Sequence, residues 1–195
     1  LDRQGREHGV TVWVTRDYLA LGTRSDRVYA PLDLPEARRV AHELGMVLPT
    51  PALTDRVYAS AAAPLAPQPI PPDARMATTA RLLEHQALVE RQGIGSAGLV
   101  AGHKKDLVIT AKLDRQPDRV AIYGWHRPDG SPIQPVSLWH GEHYVDYSHG
   151  VRLVARRIEV DDRELDVLDV LADSDLAWLL SDEGPLPTTL LDGWR

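Results

Sequence analysis

The chain contains no cysteine and no phenylalanine, and only two methionines. The first absence excludes disulfides, thiol nucleophiles and cysteine-ligated zinc or iron–sulfur centres. It leaves the compartment open, with secretion and the cytoplasm both compatible. The second leaves Trp and Tyr to supply all the aromatic volume. No apolar run approaches the roughly 18–20 residues that cross a bilayer, so no membrane partner is expected. Clustered positive charge is scarce too: 22 Lys and Arg stand against 28 Asp and Glu, a net charge of -6. Phosphate contacts need clustered cations, so nucleic acid is not an expected partner. The chain begins with Leu1 rather than Met. That predicts a processed or trimmed product, with a removed leader as one option.

What is present suits one sizeable core. The 195 residues are 43% hydrophobic and 26% charged, ordinary values for a globular chain. A single domain over residues 1–195 is expected. Val10, Val12 and Val14 alternate with Thr11, Trp13 and Thr15, the period of a strand. Short strands are expected at 18–22 and 27–32, with a turn over 22–26. Pro35 to Leu44 predicts a helix with Ala37, Val40, Ala41 and Leu44 as its stripe and Gly45 as its stop. Thr50 caps a second helix through Ala63, with Leu53, Val57 and Tyr58 inward. The third, Thr78 to Gln92, carries Leu82, Leu83, Leu88 and Val89 on one side. That placement leaves His85, like His42, at the surface.

Residues 64–72, rich in proline, read as an extended strap over the domain. A Gly-Ser-rich stretch follows at 93–98. Strands are then expected at 99–102, 107–111, 120–125, 133–138 and 151–160, with a turn at Arg127–Gly130. Residues 163–182 return to helix, broken near Ser174, and 185–195 form a tail. Strands cluster in the second half instead of alternating with helices. The expected class is therefore α+β, with a mainly antiparallel sheet from 99–160 packed by helices.

Five of the eight histidines are His103, His126, His140, His143 and His149. The run Trp139 to Gly150 places His140, Glu142, His143, Asp146 and His149 within ten positions. One reading gives His140, His143 and His149 to a zinc-like divalent cation, with a carboxylate as further ligand or base. Their spacing matches no strong zinc signature. A metal-free reading makes the five histidines acid–base groups. Tyr147 then assists proton transfer, while Lys105 and Arg152 hold negative charge. Ser148 and His149, as strand neighbours, should face opposite ways. Ser137 is the other serine candidate, and neither lies in a Gly-x-Ser-x-Gly elbow.

Gly102 to Asp106 is a second patch. Strand alternation puts His103 and Lys105 on one face, Lys104 and Asp106 on the other. From His103 to Arg127 six Lys and Arg accompany three Asp. Such a strip attracts a carboxylate, sulfate or phosphate. The plainer reading is that Lys104 and Lys105 guard an edge strand. Tyr123, Trp125 and Gln134 form a third patch, suited to sugar stacking or peptide binding. Core packing is the plainer reading of Trp125.

Ser148-His149-Gly150-Val151-Arg152-Leu153 resembles the Ser-His-Gly-Cys-x-Arg motif of the L,D-transpeptidases, and Trp139-His140-Gly141 resembles that family's upstream His-Gly. The resemblance covers about fifteen residues. It implies a cell-wall or polymer context. Val151 stands where the motif has its cysteine, so transfer through that thiol is excluded and no catalytic role carries over.

These residues together point to an enzyme, a hydrolase or lyase, acting on a polar or anionic substrate such as a polysaccharide or bacterial cell-wall polymer. The alternative is a non-catalytic carbohydrate-binding module using Tyr123, Trp125 and Trp139. A third class, an assembly component, predicts a stable oligomer and no small-molecule site. The oligomeric state is left open.

Overall fold

The computed structural model of the chain describes residues 1–23, 26–93 and 98–195. Strand β1 (Val10–Thr11) comes first. β2 (Ala20–Gly22) and β3 (Arg27–Tyr29) then form an antiparallel pair. Helix α1 (Leu34–Glu43) starts at Asp33, whose side chain accepts from the Glu36 N–H. Pro35 sits in its first turn, where a missing N–H costs nothing. β4 (Met46–Val47) leads to α2 (Pro51–Ala59), capped by Thr50 as expected but ending four residues early. β5 (Ala63–Pro64) and α3 (Thr79–Glu90) complete the first half.

The buried face of α3 differs from its expected leucine stripe. Arg81, His85, Gln86 and Val89 are buried, while Leu83 is exposed. The Gln86 amide accounts for part of this. It accepts from the Tyr29 N–H at 3.0 Å and donates to the Arg27 carbonyl. His85 is thus an interior residue, whereas His42 lies at the surface as expected. The Gly-Ser-rich stretch expected at 93–98 falls mainly on 94–97, outside the described residues. Positions 24 and 25 of the turn expected at 22–26 are outside them too.

The second half contains β6 (Val100–Ala101), β7 (Lys105–Leu107), β8 (Ile122–His126) and β9 (Pro132–Ser137). Next come β10 (His149–Gly150), β11 (Val154–Ala155), β12 (Arg157–Val160) and β13 (Arg163–Asp166). Helices α4 (Val167–Ala172) and α5 (Thr188–Asp192) finish the chain. The class is α+β, as expected. The largest sheet runs β10-β7-β8-β9; β7, β8 and β9 are antiparallel and β10 joins parallel to β7. The expected turn at Arg127 closes with the Gly130 N–H donating to the Arg127 carbonyl at 2.9 Å.

The C-terminal helix expected over 163–182 is shorter than anticipated. Asp161 and Asp162 both take positive φ, 49° and 61°, the backbone of a two-residue hairpin turn. They fold 163–166 back onto β12, so helix begins only at Val167. Behind the sheets, Leu107, Ile109, Leu153 and Ile158 meet Leu34 of α1 and Leu168 of α4 in the main core. The proline-rich strap is tied to the histidine-bearing half. The Tyr147 hydroxyl accepts from the Ile70 N–H at 2.9 Å and donates to the Ile70 carbonyl at 3.2 Å. Among the described residues, no helix is long and apolar enough to cross a membrane.

Candidate functional site

Parallel pairing of β10 with β7 sets His149 opposite Lys105 and Gly150 opposite Asp106. On the other side of β7, Gly124 faces Lys105 and Tyr123 faces Asp106. The basic strip and the histidine run are therefore neighbours in one sheet. β7 is an inner strand, so Lys105 does not guard an edge, and Lys104 lies just before the strand. Lys104 is fully buried.

The first group of side chains surrounds His149. This residue is 1% exposed, and neither ring nitrogen has a hydrogen-bond partner among the described residues. The Tyr144 ring meets it edge-on at 5.8 Å and stacks on His140 at 3.7 Å. The Tyr144 hydroxyl donates to Asp146 at 3.2 Å. Asp146 also accepts from the Ser148 N–H at 2.8 Å and the Ser148 hydroxyl at 2.6 Å. Lys105 Nζ lies over the Trp125 ring, 4.9 Å from its centroid. Burial pushes His149 down to about 4, which leaves a neutral imidazole at pH 7. Burial also lowers Lys105 and His140. Burial alone would raise Asp146; attraction to His149 once that ring is protonated at acid pH, the Ser148 hydrogen bonds and Lys105 outweigh it. A neutral imidazole beside a half-buried ammonium can take a proton while negative charge develops nearby.

The second group is interior. Tyr18 donates to Asp106 at 2.7 Å, and Arg152 Nε lies 3.6 Å from the other Asp106 oxygen. Arg152 also donates to the carbonyls of Thr15 and Val100 at 2.8 and 2.7 Å. Its guanidinium sits 4.4 Å from the Tyr18 ring centroid. Burial pushes the Asp106 carboxyl up to about 6. His103 is wedged between Tyr18 and Tyr29 at 4.9 and 5.1 Å, and burial drives it well below the usual imidazole range. Lys104 Nζ donates to the Tyr147 carbonyl at 2.6 Å and lies 3.3 Å from His85 Nδ1. Burial lowers Lys104 to about 7 and His85 to about 3.

The remaining expected residues lie elsewhere. His126 pairs with Asp55 at 2.8 Å and stacks under Tyr58 at 4.5 Å. Tyr123 donates to the same Asp55 carboxylate, so these two form a separate group against α2. His143 is exposed and pairs with Asp33, the cap of α1, at 3.1 Å. Gln134 sits opposite Gly124 and donates to the Pro135 carbonyl. The Tyr147 hydroxyl is committed to the strap. Trp125 is 5% exposed and donates to the His103 carbonyl at 3.1 Å, whereas Trp139 is 82% exposed.

Two expectations change, and that Ser148 and His149 do not pair agrees with the sequence reading. His103 and Lys105 do not share a face, because the strand begins only at Lys105 and the pleat does not extend to 102–104. His103 instead packs on Tyr18, the partner of Asp106. The trio His140, His143 and His149 is not gathered. The first and last flank Tyr144, and among the described residues no group of three His, Asp or Glu side chains is placed to hold a metal ion. The Ser148 hydroxyl bonds Asp146 rather than His149. Val151, at the motif's cysteine position, is a core residue.

Tyr18, Tyr29 and His85 were not foreseen as members of this interior. Only His85 carried a signal, as a histidine among leucines at helical spacing. No family model, no curated protein and no solved structure matches the chain.

Proposed function

We propose that the chain is an enzyme, a hydrolase or lyase, in which His149 is the general base and Lys105 stabilises developing negative charge. The substrate is polar or anionic, of the polysaccharide or cell-wall polymer class. One observation carries this reading: among the described residues, both His149 ring nitrogens are unpartnered beside Lys105 on the adjoining strand. A buried polar group without a partner costs about 1–3 kcal/mol. A substrate hydroxyl or water at His149 would remove that cost.

Supporting roles follow from the contacts. Burial pushes Tyr144 up to about 12, so its hydroxyl stays protonated and its single O–H is donated to Asp146. Asp146 orients it. The Tyr144 ring, stacked on His140, packs edge-on against the buried His149, so substrate entry at His149 would displace Tyr144. Trp139, next to His140 in the chain, offers an exposed ring on which a sugar can stack. The binding-module reading relies on Trp125 as well, and its burial weighs against a shared aromatic platform.

The test is a turnover screen over anionic and neutral polysaccharides and cell-wall fragments. His149→Gln and Lys105→Ala should each lower kcat by about 10²–10⁴ on the responding substrate. Trp139→Ala should raise KM more than it lowers kcat. Unchanged turnover in both site variants would overturn the assignment. Retained polymer binding without any turnover, lost in Trp139→Ala, would favour the binding module.

A further inference from the structure

We propose that the cavity between α1 and α5 binds a small carboxylate carrying an apolar tail. It encloses about 260 Å³, and Leu34, Arg38, Leu113, Asp114, Thr189 and Leu190 are among its lining residues. It lies apart from the His149 group and does not depend on the catalytic reading.

The argument starts from Arg38. Arginines 39, 81, 152, 156, 157 and 195 each have a carboxylate within ion-pair distance. Arg38 has neither an ion pair nor a hydrogen bond among the described residues, and its Nε is buried without an acceptor. Glu142 acts on it only through space, while burial disfavours its charge. The guanidinium packs on the Trp194 ring at 4.9 Å. Trp194 is 2% exposed, and its indole N–H also lacks an acceptor. Two packed side chains thus each carry a buried donor without an acceptor among the described residues; Arg38 lines the cavity, and Trp194 packs on Arg38 without being part of that lining. Native interiors seldom leave even one such donor unpaired.

The missing acceptor has a definable chemistry. A guanidinium fork matches a planar carboxylate or a phosphate. Asp114 shares the lining, with its carboxylate bonded by the Thr189 hydroxyl at 2.6 Å. A fixed negative charge there disfavours a dianion more than a monoanion, which selects carboxylate over phosphate. Leu34, Leu113 and Leu190 supply apolar wall for a short aliphatic tail. The volume suits a small molecule or one chain end, since drug-sized pockets start near about 300 Å³.

The experiment is a ¹H–¹⁵N NMR titration of the full chain, following the Trp194 indole N–H. Trp194→Phe assigns that resonance by its loss. Hexanoate should shift it saturably at about 10 mM, the scale of a weak fragment. Hexanamide and inorganic phosphate should be weaker by at least about tenfold. Arg38→Gln should abolish the hexanoate response while preserving the rest of the spectrum. No saturable shift, or equal responses to hexanoate and hexanamide, would overturn the proposal. The hexanoate-to-hexanamide comparison needs only the unmodified protein, so it decides the matter even if Arg38→Gln does not fold.

Discussion

Tyr18 and Asp106, 88 residues apart, meet in the interior through a 2.7 Å hydrogen bond from hydroxyl to carboxylate. Arg152 completes the contact from above the Tyr18 ring and beside the carboxylate. The three residues link the N-terminal strands to β7 and to the segment after β10. A buried carboxyl raised to about 6 is only partly neutralised by its arginine, so each hydrogen bond to it matters.

Removing one member should therefore cost more than a surface change. Tyr18→Phe leaves the Asp106 carboxyl without its hydroxyl donor and is expected to destabilise by about 1–3 kcal/mol. Asp106→Ala leaves the fully buried Arg152 without a counter-charge and is expected to cost about 3–5 kcal/mol. Urea denaturation of the two variants checks the ranking. Equal, sub-kilocalorie effects would mean that the contact is not a structural link.

The proposed roles of His149 and Lys105 fix a pH–rate shape. The base must be unprotonated, and burial holds it down to about 4. Activity on a responding substrate should rise through pH 4 rather than through the ordinary imidazole value. Lys105 must be protonated, and burial lowers it. Activity should then fall on the alkaline side below the usual lysine value of 10.5. In Lys105→Arg that alkaline limb should move up or vanish, because a guanidinium stays charged there. An acid limb near 6.5 would point to an exposed histidine instead.

Stability should fall between pH 7 and pH 5. His149 is held down to about 4 and His85 to about 3, both below the 6.5 of an unfolded chain. His103 shifts in the same direction. In that window the unfolded chain binds these protons and the folded chain does not, so folding weakens as pH drops below 6.5. Asp106 works the other way: its folded value near 6 exceeds the unfolded 3.8, so it favours the folded state as pH falls. His8 and His143 are raised by neighbouring carboxylates and act above 6.5 rather than near pH 5. His140 is lowered too, so four imidazoles against one carboxyl leave a net uptake of protons on unfolding near pH 5. Urea midpoints at the two pH values measure this, and His149→Phe should reduce the difference. A midpoint at pH 5 equal to or above that at pH 7 would count against neutral interior histidines.

Local chemistry in the sequence located the elements better than the site. Pro35, Thr50 and Thr78 mark helix starts through capping rules that act over a few residues, and the three helices begin within one residue of expectation. The α+β class followed from strands crowding the second half. Tertiary choices were not legible. Leu82, Leu83 and Leu88 imply an apolar face for α3, yet Gln86 turns it toward the backbone of β3 and carries His85 inside. Residues 163–182 read as helix from their sequence. The paired left-handed aspartates at 161 and 162 broke that pattern. In the site, the closeness of His149 to Lys105 depends on a parallel pairing between strands 44 positions apart (149 − 105), which no local pattern encodes.

Gly150 supplies the last expectation, because its missing side chain is what allows Tyr18 to reach Asp106. A Cβ on Gly150 would lie 2.6 Å from Tyr18 Cδ1 and 2.7 Å from Lys104 Cβ. Both are closer than real contacts, and neither neighbour is the free end of a flexible chain. Gly150→Ala must therefore displace the Tyr18 ring or part β10 from β7. Overpacking of this kind costs about 1–3 kcal/mol. Displacement of the ring also breaks the Tyr18–Asp106 bond, so Tyr18→Phe and Gly150→Ala should be less than additive when combined. Separation of β10 would instead move His149 away from Lys105 and lower turnover while leaving the Tyr18–Asp106 bond intact, so the two changes would then add. Urea denaturation of both single variants and the double variant, read beside turnover, distinguishes these two responses. A fully stable and fully active Gly150→Ala protein would contradict the close packing of Tyr18, Lys104 and β10.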